Sequence, residues 1–474
     1  MGLPIDTAAP AAERPLLRLR IVCLALAALV VCMVTLSLSP VLSAALAGVV
    51  CVGCLIARLS PSLSQLTFWL FVAVLVTAVP GPNLELVGGA GMLMAFRLLL
   101  GALLLLLAGR LALRGGRIEM RLGSGPALLW LPILGWAVLS LLWCNDPLAA
   151  LRYLVFLAVG VFLIFAIREY SRETRRFRLM VNACAAVAAG VILFGIFERV
   201  TDYHLPASVR RDILTMERAR YVVTSVFRNP NEFATYIALW VPVFFAAVLE
   251  LRSRAVRLLA AVVCMAGAYC LTCTGSRANL VALALAAAVV IALSAARRPV
   301  RASVALALLA VIGVYGAQRF LVSASRHQLG ALSLSSLGAE AGRARAGMMG
   351  DGLALLAKSW GVGVGAGNVE GHMADLGWGL LNVHNWWLEI LVDLGVIAFV
   401  CYAWFYFSVM LRLYRQCRAS PDHYLRAVSL GLLAGMVGFT IGCVSSSSLI
   451  AAAPIWIYLG LCVGAVEAGS VVRS

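Results

Sequence analysis

Long apolar runs recur along the whole of this 474-residue chain, separated by short polar or glycine- and proline-containing breaks. An apolar run of about 18 residues or more is long enough to cross a membrane as an α-helix. The runs are continuous rather than alternating, which disfavours a strand barrel. The pattern therefore predicts an all-α polytopic membrane protein with about 12–14 transmembrane helices. The fourteen candidate spans are residues 21–38, 40–57, 64–80, 92–109, 127–144, 149–167, 179–197, 233–250, 258–275, 278–295, 302–319, 389–411, 427–446 and 449–467.

Composition supports this class, and the charges indicate an orientation. The chain is 63% hydrophobic with a mean hydropathy of +0.98, and all but one of its 38 basic residues are arginine. Twenty-four of the 38 fall in alternate loops of the fourteen-span pattern, which predicts that those loops face the cytoplasm. The net charge of +17 is then a topology signal and a contact for anionic lipids, so we expect no nucleic-acid partner. The first run has no polar break before Pro40, which favours a membrane anchor over a cleaved signal peptide.

Two long loops on the predicted outer side, residues 198–232 and 320–388, combine arginines, acids and aromatic residues. Any chemistry is therefore expected on the extracytoplasmic face. We predict three regions along the chain. They are the N-terminal membrane spans (1–178), a membrane core that includes both outer loops (179–446), and the last span with a short cytoplasmic tail (447–474).

A polar break at Gly275, Ser276 and Arg277 separates two apolar spans. An arginine at the rim of a membrane either pairs with an anion or extends its side chain to the interface. The Ser276 hydroxyl and the backbone N–H groups of such a turn would suit a phosphate oxygen. From the residues alone, anion binding and a simple interfacial arginine are equally open.

A second arginine lies ahead of a predicted helix start in the segment SVFRNPNEF. The Asn229-Pro230 pair predicts a turn, and Asn231 is the expected N-cap of the helix that follows. Helix capping accounts for both asparagines. Arg228 remains as a candidate anion contact.

Arg343 and Arg345 precede a short amphipathic segment in the second outer loop, and the glycine-rich stretch GVGVGAGN at 361–368 follows it. These arginines are either phosphate contacts or solvated loop charges. A nucleotide-binding role for the glycines is disfavoured, because no strand–turn–helix pattern surrounds them. We expect a flexible or tightly turning loop instead.

His384 and Asn385 lie just ahead of an apolar helix that carries Glu389 and Asp393 on one inward face. One interpretation is a polar cap on a membrane helix, with the two following tryptophans as interfacial anchors. The other is a general base, because neutral imidazole, with an ordinary pKa of about 6.5, can accept a proton from a sugar hydroxyl. The residues alone slightly favour the cap.

Metal and disulfide chemistry find little support. Nearly all of the 13 cysteines fall inside apolar runs, which predicts small buried side chains. No carboxylate pair has metal-ligand spacing, so we expect no metal and no other cofactor. The remaining outer histidines, His204, His327 and His372, lack a flanking pattern and are predicted to be loop residues.

Taken in order, these features resemble the O-antigen ligase and O-antigen polymerase superfamily of bacterial polysaccharide assembly, over about residues 180–440. The superfamily pattern has an arginine after a serine, matched by Ser276-Arg277. It has an arginine that opens a loop segment running into a G-x-G stretch, matched by Arg343 and GVGVGAGN. The FRNPNEFATY segment ahead of them is also similar to the superfamily.

The last motif of that pattern is a histidine, then Asn, Ser or Gln, then nine residues, then glycine. His384, Asn385 and Gly395 match it. The ligase form continues with Gly, Thr or Tyr three residues after the glycine, where this chain has Ala398. This departure leaves ligase and polymerase both open.

The resemblance implies a C-type glycosyltransferase architecture with a partly helical extracytoplasmic loop. Such an enzyme would take a glycan from undecaprenyl diphosphate at the outer side of the bacterial cytoplasmic membrane. Its acceptor would be a hydroxyl of the lipid A core of lipopolysaccharide, of a growing polysaccharide or of a protein. In this reading His384 is the general base, and Arg277 and Arg343 hold the diphosphate. The predicted substrate-binding residues are Arg228, Arg345, Asn385, Ser276 and Glu389.

Two rivals from other classes fit less well. A secondary transporter predicts charges near the bilayer midplane, broken helices and an internal repeat, none of which is clear in the sequence. A membrane scaffold would leave the grouping of Arg277, Arg343 and His384 on one face unexplained. A metal-independent, inverting glycan transfer is therefore the favoured hypothesis.

Overall fold

The structure, a computed structural model, describes residues 63–80, 95–113, 125–205, 222–307, 343, 346–378, 383, 385–444 and 450–471. The chain forms two compact units, Met1–Ile118 and Glu119–Ser474. In the first unit, helix α1 (Leu63–Thr77) packs against α2 (Ala95–Leu113). Both helices coincide with predicted spans.

Helices also build the second unit. Eight of them, within the described residues, are long and apolar enough to cross a membrane, which confirms an all-α polytopic membrane protein. The predicted spans 21–38 and 40–57, and most of 302–319, lie outside the described residues. In chain order the helices are α3 (Trp130–Leu139), α4 (Pro147–Tyr170), α5 (Thr174–Thr201), α6 (Pro230–Glu250), α7 (Arg254–Thr274), α8 (Arg277–Ala295), α9 (346–358), α10 (Val369–Asp375), α11 (Trp386–Ala419), α12 (His423–Gly442) and α13 (Ala453–Val471), with further helical residues at 299–307.

Short polar side chains begin several of these helices by accepting hydrogen bonds from unpaired backbone N–H groups. Asp146 accepts two such bonds at the start of α4, at 2.9 and 3.1 Å. Asn229 caps α6 through the N–H of Asn231 at 2.8 Å. The prediction that Asn231 is the cap is therefore wrong by two residues. Pro230 is the first helical residue, where its missing N–H leaves nothing unpaired.

Helices α6 and α12 form the centre of the bundle, and small residues on α12 allow very close approach. A Cβ atom added at Gly431 would lie 2.4 Å from the Cα of Val243 in α6. One added at Gly438 would lie 2.6 Å from the carbonyl oxygen of Ala282 in α8. Helices inside a membrane associate through this kind of close packing, because lipid is as apolar as their side chains.

The membrane-length helices alternate in direction, so their connections gather at two ends. At one end, named here the basic end, many of the arginines are bound to partners within the protein. Arg168 Nε lies 3.1 Å from Glu467, and Arg297 Nη1 donates to the carbonyl of Cys417 at 2.8 Å. The other end, where α6 and α8 begin, carries the described site candidates and is named the site end. The basic end includes Arg168, Arg178, Arg297, Arg301 and Arg426.

Helix α11 is interrupted at Gly395, whose φ of 77° and ψ of −179° are not helical. The break separates α11a (386–394) from α11b (396–419). At about 1.5 Å per residue, only α11b has the length to cross a bilayer core of about 30 Å. The sequence predicted one uninterrupted span at 389–411, and the structure corrects this to a short helix followed by a spanning one.

Helix α11a folds back along α11b. The ring of Trp387 packs against Tyr402 and Tyr406, with centroid separations of 5.2 and 5.1 Å. Its neighbour Trp386 donates to the Tyr402 hydroxyl at 2.7 Å and is 1% exposed. These tryptophans therefore hold the hairpin together. Trp386 is buried inside the bundle, so its predicted role as an interfacial anchor is wrong.

Candidate functional site

The polar break predicted at 275–277 is a tight turn between α7 and α8. Gly275 has a φ of 72°, a left-handed conformation that glycine adopts without strain, and it ends α7. Ser276 is buried, and its Oγ accepts a hydrogen bond from Asn279 Nδ2 at 3.0 Å. Arg277 is the first residue of α8 and is exposed. The turn thus directs Ser276 into the bundle and leaves the arginine side chain accessible.

Asn279 links three helices and was not among the site residues predicted from the sequence. Its Nδ2 lies 3.2 Å from Thr235 Oγ1 in α6, and its fully buried Oδ1 has no hydrogen-bond partner among the described residues. A Cβ added at Gly442 would lie 2.6 Å from that Oδ1, so the end of α12 packs directly on this amide. The one available signal was a polar residue three positions after Ser276, which puts both side chains on one helix face.

Arg228 lies two residues before α6 and is exposed. Its neighbour Asn229 fixes the first turn of that helix as the N-cap. The bond between Thr235 and Asn279 joins the second turn of α6 to the first turn of α8. Arg228 and Arg277 therefore lie at the same end of the bundle.

Helix α11a begins beside the end of α12. Asn385 is its N-cap and accepts from two backbone N–H groups of the first turn, at 3.1 and 3.4 Å. The N–H of Trp386 lies 3.4 Å from the carbonyl oxygen of Cys443, the residue that follows α12. His384 immediately precedes Asn385 in the sequence. His384 and Arg345 themselves lie outside the described residues.

Helix α9 runs beside α11a in the same direction. A Cβ added at Gly352 would lie 3.5 Å from Val392, and one added at Gly361, beyond the end of α9, would lie 3.4 Å from Val396. Helix α9 therefore packs along α11a. Arg343 is exposed and helical, and lies three residues before the described start of α9.

The described candidates share a structural position, because each lies at or just before a helix start. Arg277 begins α8, Arg228 precedes α6, Arg343 precedes α9 and Asn385 precedes α11a. Contacts through Asn279 and the end of α12 join three of these starts, those of α6, α8 and α11a, at the site end. A helix N-terminus carries about half a positive charge. Three such termini, with the exposed guanidiniums of Arg228 and Arg277 beside them, favour the binding of an anion.

The glycine-rich stretch is a tight turn, as predicted, and it lies at the far end of α11a. The N–H groups of Val364 and Gly365 donate to the carbonyls of Val392 and Asp393 at 2.9 and 3.0 Å. These bonds satisfy carbonyl groups that the last turn of a helix leaves unpaired. Its positive-φ residues are Gly361 (77°), Gly363 (94°), Gly365 (103°) and Gly367 (68°).

Two glycines of the sequence motifs meet in one backbone contact. A Cβ added at Gly363 would lie 2.5 Å from the backbone nitrogen of Gly395, and one at Gly395 would lie 2.2 Å from the Val362 carbonyl oxygen. Two tryptophans clamp this contact: Trp136 Nε1 donates to the Leu394 carbonyl at 2.8 Å and Trp143 Nε1 to the Gly363 carbonyl at 3.1 Å. The glycines therefore shape the support of α11a rather than a ligand pocket.

Both acids of α11a are buried, as their spacing predicted. Asp393 is 3% exposed, and its Oδ1 accepts from the N–H of Val369 at 3.1 Å. This bond anchors the start of α10 to α11a, so Asp393 has a structural partner. Glu389 is 4% exposed and lies one turn closer to Asn385. Glu389 is therefore the acid closer in sequence to His384, the predicted base.

The two described histidines at the site end have both ring nitrogens engaged. His204 Nδ1 lies 2.5 Å from Glu198, and its Nε2 lies 3.3 Å from a second carboxylate. His372 Nδ1 donates to the Asn368 carbonyl at 2.9 Å, and its Nε2 lies 3.2 Å from Asn145 Nδ2. Both rings are therefore held by partners within the protein. Within the described parts of the chain, no three His, Cys, Asp or Glu side chains are grouped to hold a metal ion.

Comparisons with known proteins agree with this arrangement. Residues 260–403 match the family model described as O-antigen ligase, which confirms the resemblance seen in the sequence. That segment includes the helix starts at Arg277, Arg343 and Asn385. The chain is also similar to the teichuronic acid biosynthesis protein TuaE of Bacillus subtilis (strain 168). The two are 25% identical over 346 residues, which is 70% of this chain and 69% of TuaE. These similarities support a multi-pass membrane enzyme of the O-antigen ligase or polymerase type.

Proposed function

We propose that the protein is a membrane glycosyltransferase that moves a glycan from undecaprenyl diphosphate to an acceptor hydroxyl. The observation that carries this proposal is the meeting of the starts of α6, α8 and α11a at one end of the bundle, where Arg228 and Arg277 are exposed. Arg343 is the third proposed contact. None of these three guanidiniums forms a salt bridge with a described residue. The O-antigen ligase match supports glycan transfer, and the positive site end supports a diphosphate leaving group.

In the proposed reaction, the acceptor oxygen attacks the anomeric carbon and the bond from that carbon to the diphosphate oxygen breaks. Undecaprenyl diphosphate leaves with the electron pair, so negative charge develops on its phosphates. Arg277 and Arg343 bind those oxygens through paired N–H donors and stabilise the transition state. Arg228 and Arg345 add binding contacts, and the guanidiniums supply the positive charge without a metal. Direct displacement inverts the anomeric configuration.

The acceptor hydroxyl must lose its proton, and His384 is the proposed base. It comes directly before Asn385, whose side chain fixes the start of α11a. The described alternatives, His204 and His372, have both ring nitrogens in use. Asn385 and Glu389 are proposed to orient the imidazole or the acceptor.

We further propose that the basic end faces the cytoplasm and the site end faces outward from the bacterial cytoplasmic membrane. The support is the arginine-rich character of the connections at the basic end. Outside the cytoplasm there is no nucleotide sugar, so the energy for transfer must already be in the donor. A diphosphate-linked glycan meets this requirement.

A polymerase that extends a lipid-linked glycan is the second candidate. Ala398, where the ligase pattern has Gly, Thr or Tyr, favours it. The relative TuaE, named for teichuronic acid biosynthesis, also leaves polymer formation open. Ligase and polymerase would share the donor chemistry and differ in the acceptor.

The test is transfer by the purified protein in detergent, with lipid-linked glycan extracted from the source bacterium as donor. We expect His384→Ala to lower the release of undecaprenyl diphosphate by about 100-fold or more while still binding donor. Arg277→Ala should lower both release and binding, and His372→Gln should retain activity. Full activity of His384→Ala would refute the mechanism. A ladder of repeat units would identify a polymerase, and a single transfer would identify a ligase.

A further inference from the structure

A buried carboxylate at the site end has no part in the proposed chemistry. Glu198, in the last turn of α5, is 1% exposed. Its Oε2 accepts from the N–H groups of Thr224 and Ser225 at 2.9 and 2.5 Å. Its Oε1 accepts from the Thr224 hydroxyl at 3.1 Å and from His204 Nδ1 at 2.5 Å. Burial of a carboxylate is tolerated when both oxygens are bonded in this way.

These bonds fix a turn that leads directly to Arg228. Ser225 has a φ of 53°, a left-handed conformation that serine rarely adopts. Glu198 holds its N–H, and its hydroxyl donates to a carbonyl of α5 at 2.7 Å. The N–H of Phe227 donates to the Thr224 carbonyl at 3.0 Å and closes the turn one residue before the arginine. The path of the chain into Arg228 is therefore set from α5.

The chain beyond Arg228 is equally constrained. Asn229 caps α6, and the ring of Phe227 stacks on Phe233 in the first turn of that helix, with centroids 5.9 Å apart. The backbone on both sides of Arg228 is fixed, while its side chain is exposed. A fixed backbone limits where the guanidinium can reach, and it reduces the entropy lost when an anion binds.

We propose that Glu198 is a positioning residue that holds the Arg228 guanidinium toward the donor diphosphate through the 224–227 turn. This inference rests on the proposed function, in which Arg228 contacts that diphosphate. Glu198 touches no substrate in this account. Its effect on donor binding must therefore pass through Arg228. A residue that only stabilised α5 would act whether or not Arg228 were present.

A double-mutant cycle separates these two roles. The variants are Glu198→Gln, Arg228→Ala and the double variant, and the readout is the Kd for undecaprenyl diphosphate, the leaving group without a glycan. Glutamine keeps the size of the side chain but loses the charge and part of the acceptor capacity. We expect Glu198→Gln to weaken binding about tenfold in the parent and less than about twofold in the Arg228→Ala background.

The matched control is Glu250→Gln. Glu250 is also fully buried, lies at the basic end of α6, and is 3.4 Å from Arg426. This variant should leave the Kd unchanged, although its melting temperature should fall. Thr224→Val removes one of the four bonds to Glu198 and keeps the proposal testable if Glu198→Gln fails to fold. It should weaken binding about threefold, with the same dependence on Arg228.

Equal weakening by Glu198→Gln in both backgrounds would overturn the positioning role. If Arg228→Ala binds normally while Arg277→Ala does not, the proposed function stands and the role of Glu198 falls. If no arginine variant weakens binding of the diphosphate lipid, the proposed function itself fails.

Discussion

The two ends of the helix bundle both carry arginines, but the arginines are held in different ways. At the basic end, Arg168 pairs with Glu467 at 3.1 Å and Arg297 donates to the Cys417 carbonyl at 2.8 Å. At the site end, Arg277 and Arg343 are exposed and form no salt bridge within the described part of the chain. These two basic-end arginines are bound by the rest of the protein, whereas Arg277 and Arg343 have exposed side chains that a ligand can reach.

The helix ends beside these arginines also differ between the two ends of the bundle. The site-end arginines lie at helix starts, where the backbone adds positive charge. Arg297 follows the end of α8 and donates to the Cys417 carbonyl in the last turn of α11b, where unpaired carbonyl groups add negative charge. Position along a helix therefore separates a binding arginine from a structural one, although the residue type is the same.

The largest expected effect comes from comparing the two arginines that flank α8. Arg277→Ala should lower glycan transfer by about 100- to 1,000-fold, because it removes charge stabilisation from the leaving diphosphate. Arg297→Ala should change transfer by less than about threefold and act mainly on thermal stability. Rates of undecaprenyl diphosphate release from both variants, at matched protein concentration, provide the measurement. Similar losses in both would remove the distinction between the two ends.

A second comparison concerns two glycines near α11a, Gly395 at the break of the helix and Gly350 in α9. Gly395→Ala places a Cβ 2.2 Å from the Val362 carbonyl oxygen at a φ of 77°. The conformation alone should cost about 1–3 kcal/mol, and the clash adds to it. We expect a lower melting temperature and at least tenfold weaker transfer. Gly350→Ala in α9, with nothing within 4 Å of the new Cβ, is the matched control and should be near neutral. A normal melting curve for Gly395→Ala would contradict the close backbone contact between Gly395 and Val362.

Each end of α8 also has one buried polar side chain, and the two can be compared. Asn279→Ala at the site end leaves the Thr235 and Ser276 hydroxyls without their amide partner and should cost about 1–3 kcal/mol. Ser294→Ala at the basic end removes a buried hydroxyl that is already unpaired among the described residues, so its effect should stay within about 0.5 kcal/mol. Denaturation in detergent would rank the two variants. A larger loss of unfolding free energy in Ser294→Ala than in Asn279→Ala would contradict this prediction.

The smallest effect is expected at an exposed ion pair of the basic end. Arg178 Nη2 lies 2.6 Å from Asp422, but the arginine side chain is 47% exposed. Such pairs contribute about 0–1 kcal/mol. Arg178→Ala should therefore leave transfer within about twofold of the parent and shift the melting temperature only slightly. A strong loss of transfer would mean that the basic end takes part in the reaction.

The sequence predicted the described spans because each is an apolar run of membrane length. It also identified Arg228, Arg277 and Arg343, because a charged residue beside an apolar run is a visible break in the pattern. The placement of His384 and Arg345 stays a prediction, since both lie outside the described residues. The region boundaries at 178 and 446 stay predictions as well.

The reversal at Gly395 could not be predicted from the hydrophobic pattern. The run EILVDLGVIAFV continues through the glycine, so it has the appearance of one span. The fold-back depends on contacts of Trp387 with Tyr402 and Tyr406 and on the glycine-rich turn more than 30 residues earlier. Glu198 was missed for a similar reason, because its partners at Thr224 and Ser225 lie in another segment of the outer loop.

The contact between Trp386 and Cys443 has a consequence for biosynthesis. The chain is made from its N-terminus, so every predicted arginine and the start of α11a are translated before the end of α12 exists. Until residues 442 and 443 emerge, the amide of Asn279 lacks its packing against Gly442, and the N–H of Trp386 lacks its carbonyl partner. A nascent chain that is still attached to the ribosome at α12 therefore has an incomplete site.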